Sequence, residues 1–292
     1  MTPVPPLVPA LALTAAFLGA GATILIRQGL RGSDAYTGFW INVVVGAVAA
    51  WIAVAVTGGP GPVTGTGLAF FVLAGLVGTV AGRLLRFIAI ERVGASVSAA
   101  IVNLNPLIAT LLAIALLGER VTLPIVTGTI VITLGTVLLS MSGRHLGFRT
   151  RLLVYPLLSA TCFGMVSILR KLGLGGAGPI IGMALNVTTA AVAFGAFMLA
   201  SGQRHSLIAR GRPLAYFAAA GLMENSAVFL NLVALGMGTV SVVTPLYGTS
   251  PIFTLALSFF FLRGIERLTG RVVAGTALIV AGIYLLTAFA VR

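Results

Sequence analysis

Long apolar runs, separated by short polar or basic links, set the pattern of this chain. Ten runs stand out, at about 7–26, 36–56, 67–90, 95–117, 121–141, 152–169, 179–200, 214–236, 240–262 and 268–290. Most reach the roughly 20 residues that an α-helix needs to cross a bilayer. They are continuously apolar rather than alternating, which excludes the strands of an outer-membrane barrel. The links run from a few residues to about a dozen and leave no room for an extramembrane domain. The pattern therefore predicts an all-α integral membrane protein with ten transmembrane helices.

The pattern also occurs twice. Gly94-Ala95-Ser96-Val97 followed by Asn105-Pro106 is answered 145 residues later by Thr239-Val240-Ser241-Val242 followed by Ser250-Pro251. Gly38 and Asn42 answer Gly182 and Asn186, and Gly75-Leu76 answers Gly221-Leu222. Past a two-residue insertion, Glu119-Arg120-Val121-Thr122 matches Glu266-Arg267-Leu268-Thr269, and Gly128 and Gly135 match Gly275 and Gly282. Two units follow, 1–148 and 149–292, each of five helices. Duplicated sets of hydrophobic segments are characteristic of secondary transporters, in which paired repeats build alternate gates around one site.

Composition narrows the class further. Of 292 residues, 59% are hydrophobic and 8% charged, against roughly a quarter charged in a soluble domain. The net charge of +13 sorts by loop rather than forming a nucleic-acid surface. Fourteen arginines fall on one side of the ten-helix layout, whereas Arg120, Arg170, Lys171 and Arg292 fall on the other. The positive-inside rule makes the fourteen-charge side cytoplasmic and puts both termini outside. Met1–Pro9 lacks the basic region of a signal peptide, so the first span is expected to be retained. The single Cys162 forms no intrachain disulfide and reads as a packing residue, while His145 and His205 lie in basic loops. No residue set has metal-ligand spacing and no nucleotide motif has its strand–turn–helix context, so no cofactor is implied.

With Asn105-Pro106 in its fourth helix and Leu117-Gly118-Glu119-Arg120 closing it, the duplicated unit resembles the EamA-type drug/metabolite transporters. Ser250-Pro251 with Glu266-Arg267, Ala89 against Ala234, and Ile24-Leu25-Ile26-Arg27 against Ser167-Ile168-Leu169-Arg170 extend the resemblance over essentially the whole chain. It implies a ten-helix carrier of the inner or plasma membrane, built from two inverted five-helix repeats. The substrates it implies are amino acids, other metabolites, sugars or drugs.

Glu224 is the most informative side chain. It lies ten positions into the eighth span, roughly 15 Å along the helix and near the bilayer midplane. The other acids, Asp34, Glu91, Glu119 and Glu266, lie at or near span ends. An intramembrane carboxylate faces a cavity or a partner, so Glu224 is a candidate proton acceptor, cation binder or contact for a substrate ammonium. A purely structural ion pair is the alternative. Arg83 and Arg86 share a face of the third span. Arg83 lies about 10 Å from the cytoplasmic end, within reach of Glu224, to pair with it or to hold a substrate carboxylate. Arg86 is nearer the interface, where anchoring by snorkelling is expected.

Pro106 and Pro251 occupy matching positions in the fourth and ninth spans, with Pro245 a second break in the ninth. Each removes a backbone donor, and paired breaks point to a site or gate. Asn42 and Asn186 need interior partners, either substrate or a neighbouring helix. Asn225 and Asn231 accompany Glu224 on the eighth span, Asn103 and Asn105 flank the kink, and Tyr247 lies beside the break. The glycines at 75, 78 and 82 read as a close-packing stripe.

These readings converge on a secondary active transporter of a small polar metabolite, with amino acids or related zwitterions as substrate and protons as the candidate coupling ion. A multidrug exporter of lipophilic cations is the alternative within transport. A passive channel or an intramembrane enzyme is the alternative outside it. Membrane lipids are the expected surroundings, nucleic acid is not an expected partner, and the chain is expected as a monomer or homodimer.

Overall fold

Apolar backbone in hydrocarbon satisfies its N–H and C=O groups within its own segment by forming an α-helix. The structure, a computed structural model, describes residues 5–93, 98, 101–140, 150–201, 211–261 and 270–290. The helices are α1 (Leu7–Gly29), α2 (Ala35–Val56), α3 (Gly65–Ala74), α4 (Arg83–Val93), α5 (Asn105–Leu117) and α6 (Leu123–Ser140) in the first half. In the second half they are α7 (Val154–Gly173), α8 (Pro179–Ala200), α9 (Arg212–Met237), α10 (Val240–Tyr247), α11 (Ser250–Phe261) and α12 (Gly270–Ala290). A π-helical segment, Gly75–Gly82, joins α3 to α4 without a gap, and a two-residue turn separates α10 from α11. Counting each joined pair once gives ten helical units among the described residues, with no sheet among them. Six of these are long and apolar enough to cross a membrane: Leu7–Gly29, Ala35–Val56, Gly65–Ala89, Arg151–Gly173, Pro179–Ala200 and Arg212–Met237. Glu266, Arg267, His145 and His205 lie outside the described residues.

Local chemistry sets the ends. Asp34 is the N-cap of α2, accepting from the Thr37 N–H at 2.9 Å and its hydroxyl at 2.6 Å, so this acid is a cap rather than a ligand. Gly118 ends α5 in the left-handed region at φ 63°, where a residue without Cβ is unstrained.

The third helical unit of each half packs into a glycine groove of the other half. Phe71 of α3 lies on Gly173 and Gly182; a Cβ at Gly173 would sit 2.9 Å from the ring, and one at Gly182 would overlap it. Phe217 of α9 lies on Gly29 and Gly38, where an added Cβ would approach to 2.5 and 2.6 Å. Both rings are completely buried. In the duplicated register Phe217 answers Phe71, Gly29 answers Gly173 and Gly38 answers Gly182, so the contact is made reciprocally. The α6 and α12 helices meet in the same manner. Gly128 faces the Gly282 carbonyl and Gly135 the Gly275 carbonyl, so the two run antiparallel.

The π segment has a sequence cause. Between Gly75 and Ala89 the first half has one residue more than the second has between Gly221 and Ala234. A helix of unchanged length absorbs one extra residue by widening a turn, which is what a π segment does. The corresponding stretch of α9 is uninterrupted α-helix. The stripe of glycines along the π segment packs as expected. Gly75 meets the Asn186 carbonyl, Gly78 the Val166 side chain and Gly82 that of Cys162.

The fourth and ninth spans differ from the sequence expectation. Each is interrupted by a two-residue turn, at Asn103–Leu104 and at Gly248–Thr249, instead of bending as one helix. Pro106 and Pro251 are then the second residues of α5 and α11. A first-turn proline lacks only an N–H that would have no helical partner anyway. Asn105 Nδ2 donates to the Val102 carbonyl at 2.9 Å, satisfying the acceptor that Pro106 cannot reach. The two breaks touch, since a Cβ on Gly248 would lie 2.8 Å from Pro106 Cγ. Pro245 lies inside α10.

Candidate functional site

Where α2 crosses α9, small residues let the backbones approach. A Cβ on Gly221 would lie 2.9 Å from the Asn42 carbonyl oxygen, and one on Gly46 would collide with the Asn225 amide. This closeness places Asn42 directly over Glu224. Asn42 Nδ2 donates to Glu224 Oε2 at 3.0 Å, and its Oδ1 accepts from the Arg83 guanidinium at 2.8 Å. Arg83 Nε lies 3.5 Å from Glu224 Oε1, closing a triangle of glutamate, asparagine and arginine. The side chains of Arg83 and Glu224 are only 5% and 8% exposed, so the charges are screened by each other rather than by water. Charge-assisted bonds of this kind are roughly twice as strong as neutral ones.

Arg86 joins them, with a guanidinium nitrogen 3.9 Å from Glu224 Oε1. The sequence suggested interfacial anchoring for it, but one turn beyond the π segment its side chain also reaches the carboxylate. Asn186 Oδ1 accepts from the Thr79 hydroxyl at 2.9 Å. Asn225 Nδ2 donates to the Gly221 carbonyl at 2.7 Å and to that of Asn42 at 3.4 Å, while its buried Oδ1 makes no hydrogen bond. Asn231 is buried two turns further along α9 and joins none of these bonds.

Duplication separates architecture from site. Asn42 with Asn225 corresponds to Asn186 with Thr79, and Gly221 on the Asn42 carbonyl corresponds to Gly75 on the Asn186 carbonyl. These contacts hold helices together in both halves. In the same register Glu224 answers Gly78, and Arg83, past the extra residue, answers the apolar Val228. The charged pair stands where the halves differ.

Arg170 was assigned by its sequence to an external loop. It falls within the last turn of α7, which runs on to Gly173, four residues past the predicted end. Helical side chains lean toward the N-terminus, and this one leans back into the bundle. Its guanidinium comes within electrostatic reach of Arg83, Glu224 and the Tyr247 phenol, and its Nε is buried without a hydrogen bond. In the register that pairs Gly29 with Gly173, Arg170 answers the apolar Ile26, and Arg27 answers Lys171. The only sequence signal was that a helix ending at Leu169 would be short for a span. The Tyr247 hydroxyl packs on Gly19 of α1, 3.4 Å from where a Cβ would stand.

A second charged constellation closes one end of the bundle. After the turn at Gly118, the Glu119 carboxylate accepts from the Val240 and Ser241 N–H groups at 2.8 and 3.0 Å. An anion at the start of α10 complements the helix dipole. Lys171 Nζ donates to the Leu235 and Gly238 carbonyls at 2.6 and 2.7 Å, at the end of α9. The α9–α10 junction is thus pinned by one residue from α7 and one from the end of α5. Among the described residues no cluster of histidine, cysteine and acids suits a metal ion.

A multi-pass helical membrane protein with a buried, asymmetric charge cluster between duplicated helices has the attributes of a transporter. The EamA-like transporter family model matches residues 7–141 and again 151–288, and the chain belongs to that family. It is accordingly a carrier of small molecules or metabolites and not an enzyme. No curated protein matches it. Its fold is similar to that of a solved structure described only as "Crystal structure of protein", with TM-score 0.77, 18% identity and 97% of each chain covered.

Proposed function

We propose that the chain is a secondary active transporter of the cell membrane that moves a small polar metabolite, an amino acid or related zwitterion, by alternating access coupled to protons. The observation that carries this reading is Glu224, an interior carboxylate held by Arg83, Arg86 and Asn42. Protonation of Glu224 would loosen the triangle and so link proton movement to rearrangement of α2, α4 and α9. The halves 1–148 and 149–292 act as inverted five-helix repeats. The double family match, the reciprocal Phe71 and Phe217 contacts and the antiparallel α6–α12 pair support that arrangement. The touching breaks at Pro106 and Gly248, with Pro245 and Pro251 beside them, serve as the moving joint. The two arginines on Glu224 disfavour a lipophilic cation as substrate, since they already offset the negative charge.

In proteoliposomes with an imposed pH gradient, Glu224→Gln lowers amino-acid accumulation by at least about tenfold while the protein still elutes as a folded species. Normal accumulation by this variant makes Glu224 structural. We propose further that the basic loops are cytoplasmic and both termini external. With Arg83, Arg86 and Arg170 turned inward, twelve arginines remain on one side against Arg120, Lys171 and Arg292 on the other. A cysteine at Ser33 in a Cys162→Ala background resists membrane-impermeant thiol reagents in intact cells; rapid labelling reverses the orientation.

A further inference from the structure

Two arginines, Arg83 and Arg86, reach Glu224 Oε1, and a third, Arg170 on α7, interacts electrostatically with the same carboxylate and with Tyr247. Glu224 is the one acid in this group, so two positive charges remain uncompensated among the described residues. Arg83 is engaged by Glu224 and Asn42. Arg170 is not comparably engaged, because its Nε–H is buried without an acceptor and it has no ion pair among the described residues. A buried charged donor without a partner is costly, and a native structure retains one where a ligand, ion or water completes it.

We infer that Arg170 anchors the anionic end of the substrate, a carboxylate set between its guanidinium and the Tyr247 hydroxyl, and that the site selects substrates of net negative charge. The inference rests on the transport reading above and names its substrate class. The guanidinium fork presents parallel N–H groups that match the two oxygens of a carboxylate. The phenol supplies a further donor.

The test uses the full chain in nanodiscs, with L-aspartate, succinate, L-leucine, L-lysine, tetraphenylphosphonium and inorganic phosphate as probes. Stabilisation against heat reports binding, and titration gives affinities. Aspartate and succinate stabilise the wild type, leucine does so less, and lysine and tetraphenylphosphonium do not. Arg170→Gln weakens aspartate binding by about tenfold or more, because a charge-assisted bidentate contact is lost. Arg170→Lys recovers part of it, keeping the charge but not the fork. Tyr247→Phe removes only a hydroxyl, preserves packing on Gly19 and weakens aspartate about fivefold, which serves if the Arg170 variants fold poorly.

Unchanged aspartate affinity in Arg170→Gln, or stronger stabilisation by lysine or tetraphenylphosphonium than by aspartate, overturns the inference. Stabilisation by phosphate with both carboxylates silent overturns the carboxylate assignment. Proton-driven uptake that needs Glu224 but is indifferent to Arg170→Gln removes this inference and leaves the transport reading standing. Loss of proton-driven uptake in the wild type, with Arg170-dependent aspartate binding intact, does the reverse.

Discussion

Glu224→Leu destabilises the protein by about 3–5 kcal/mol, because it leaves Arg83 buried without its acid and beside the part-buried Arg86. Arg83→Leu costs less. Glu224 then retains Arg86 at 3.9 Å and the Asn42 amide at 3.0 Å. The double variant recovers much of the loss, since an apolar pair of similar volume carries no desolvation penalty, and it does not recover transport. Unfolding in detergent, run as a double-mutant cycle, reads a coupling of about 0.5–3 kcal/mol for residues in contact. Coupling near zero would show that the triangle is not an energetic unit, and the proton-linked rearrangement would lose its basis.

Phe71→Ala and Phe217→Ala each cost about 3–5 kcal/mol, the usual loss for emptying a fully buried aromatic site. Because the rings occupy separate glycine grooves, Gly173 with Gly182 and Gly29 with Gly38, the two losses add to within about 0.5 kcal/mol. Unfolding of the single and double variants in detergent measures both terms. Unequal single losses would show that the reciprocal contacts are not energetically equivalent. A large departure from additivity would show that the grooves communicate.

Much of the fold was legible because a bilayer leaves few alternatives. Continuous apolar runs become helices, and the doubled spacing of Asn42 with Asn186, or Gly75 with Gly221, pairs them correctly. Glu224 and Arg83 were legible by depth alone, since a charge placed so far from the interface needs a partner. The bridging position of Asn42 was not, because Asn186 has the same spacing and spends its amide on Thr79. The π segment was hidden in a register change of one residue, which reads as drift in an imperfect repeat. Arg170 was hidden for a related reason: the sequence sets it against Arg27, whereas the register of Gly29 with Gly173 puts it opposite Ile26, and the two readings differ by one residue. The helix breaks were half legible. Proline announced an interruption, but it tolerates the first turn of a helix, so the turn forms before it and not at it.

The exchange of rings and grooves between the halves bears on how the chain is made. At about 5–20 residues per second, synthesis reaches the second half several seconds after Phe71 has entered the bilayer. Throughout that interval Phe71 lacks its groove, because Gly173 and Gly182 have yet to be translated. The groove at Gly29 and Gly38 stands equally empty until Phe217 arrives. Neither half can therefore seat its ring in its native groove as a free-standing unit. A chain cut after residue 148 remains in the membrane as an unfinished half until a second half reaches it.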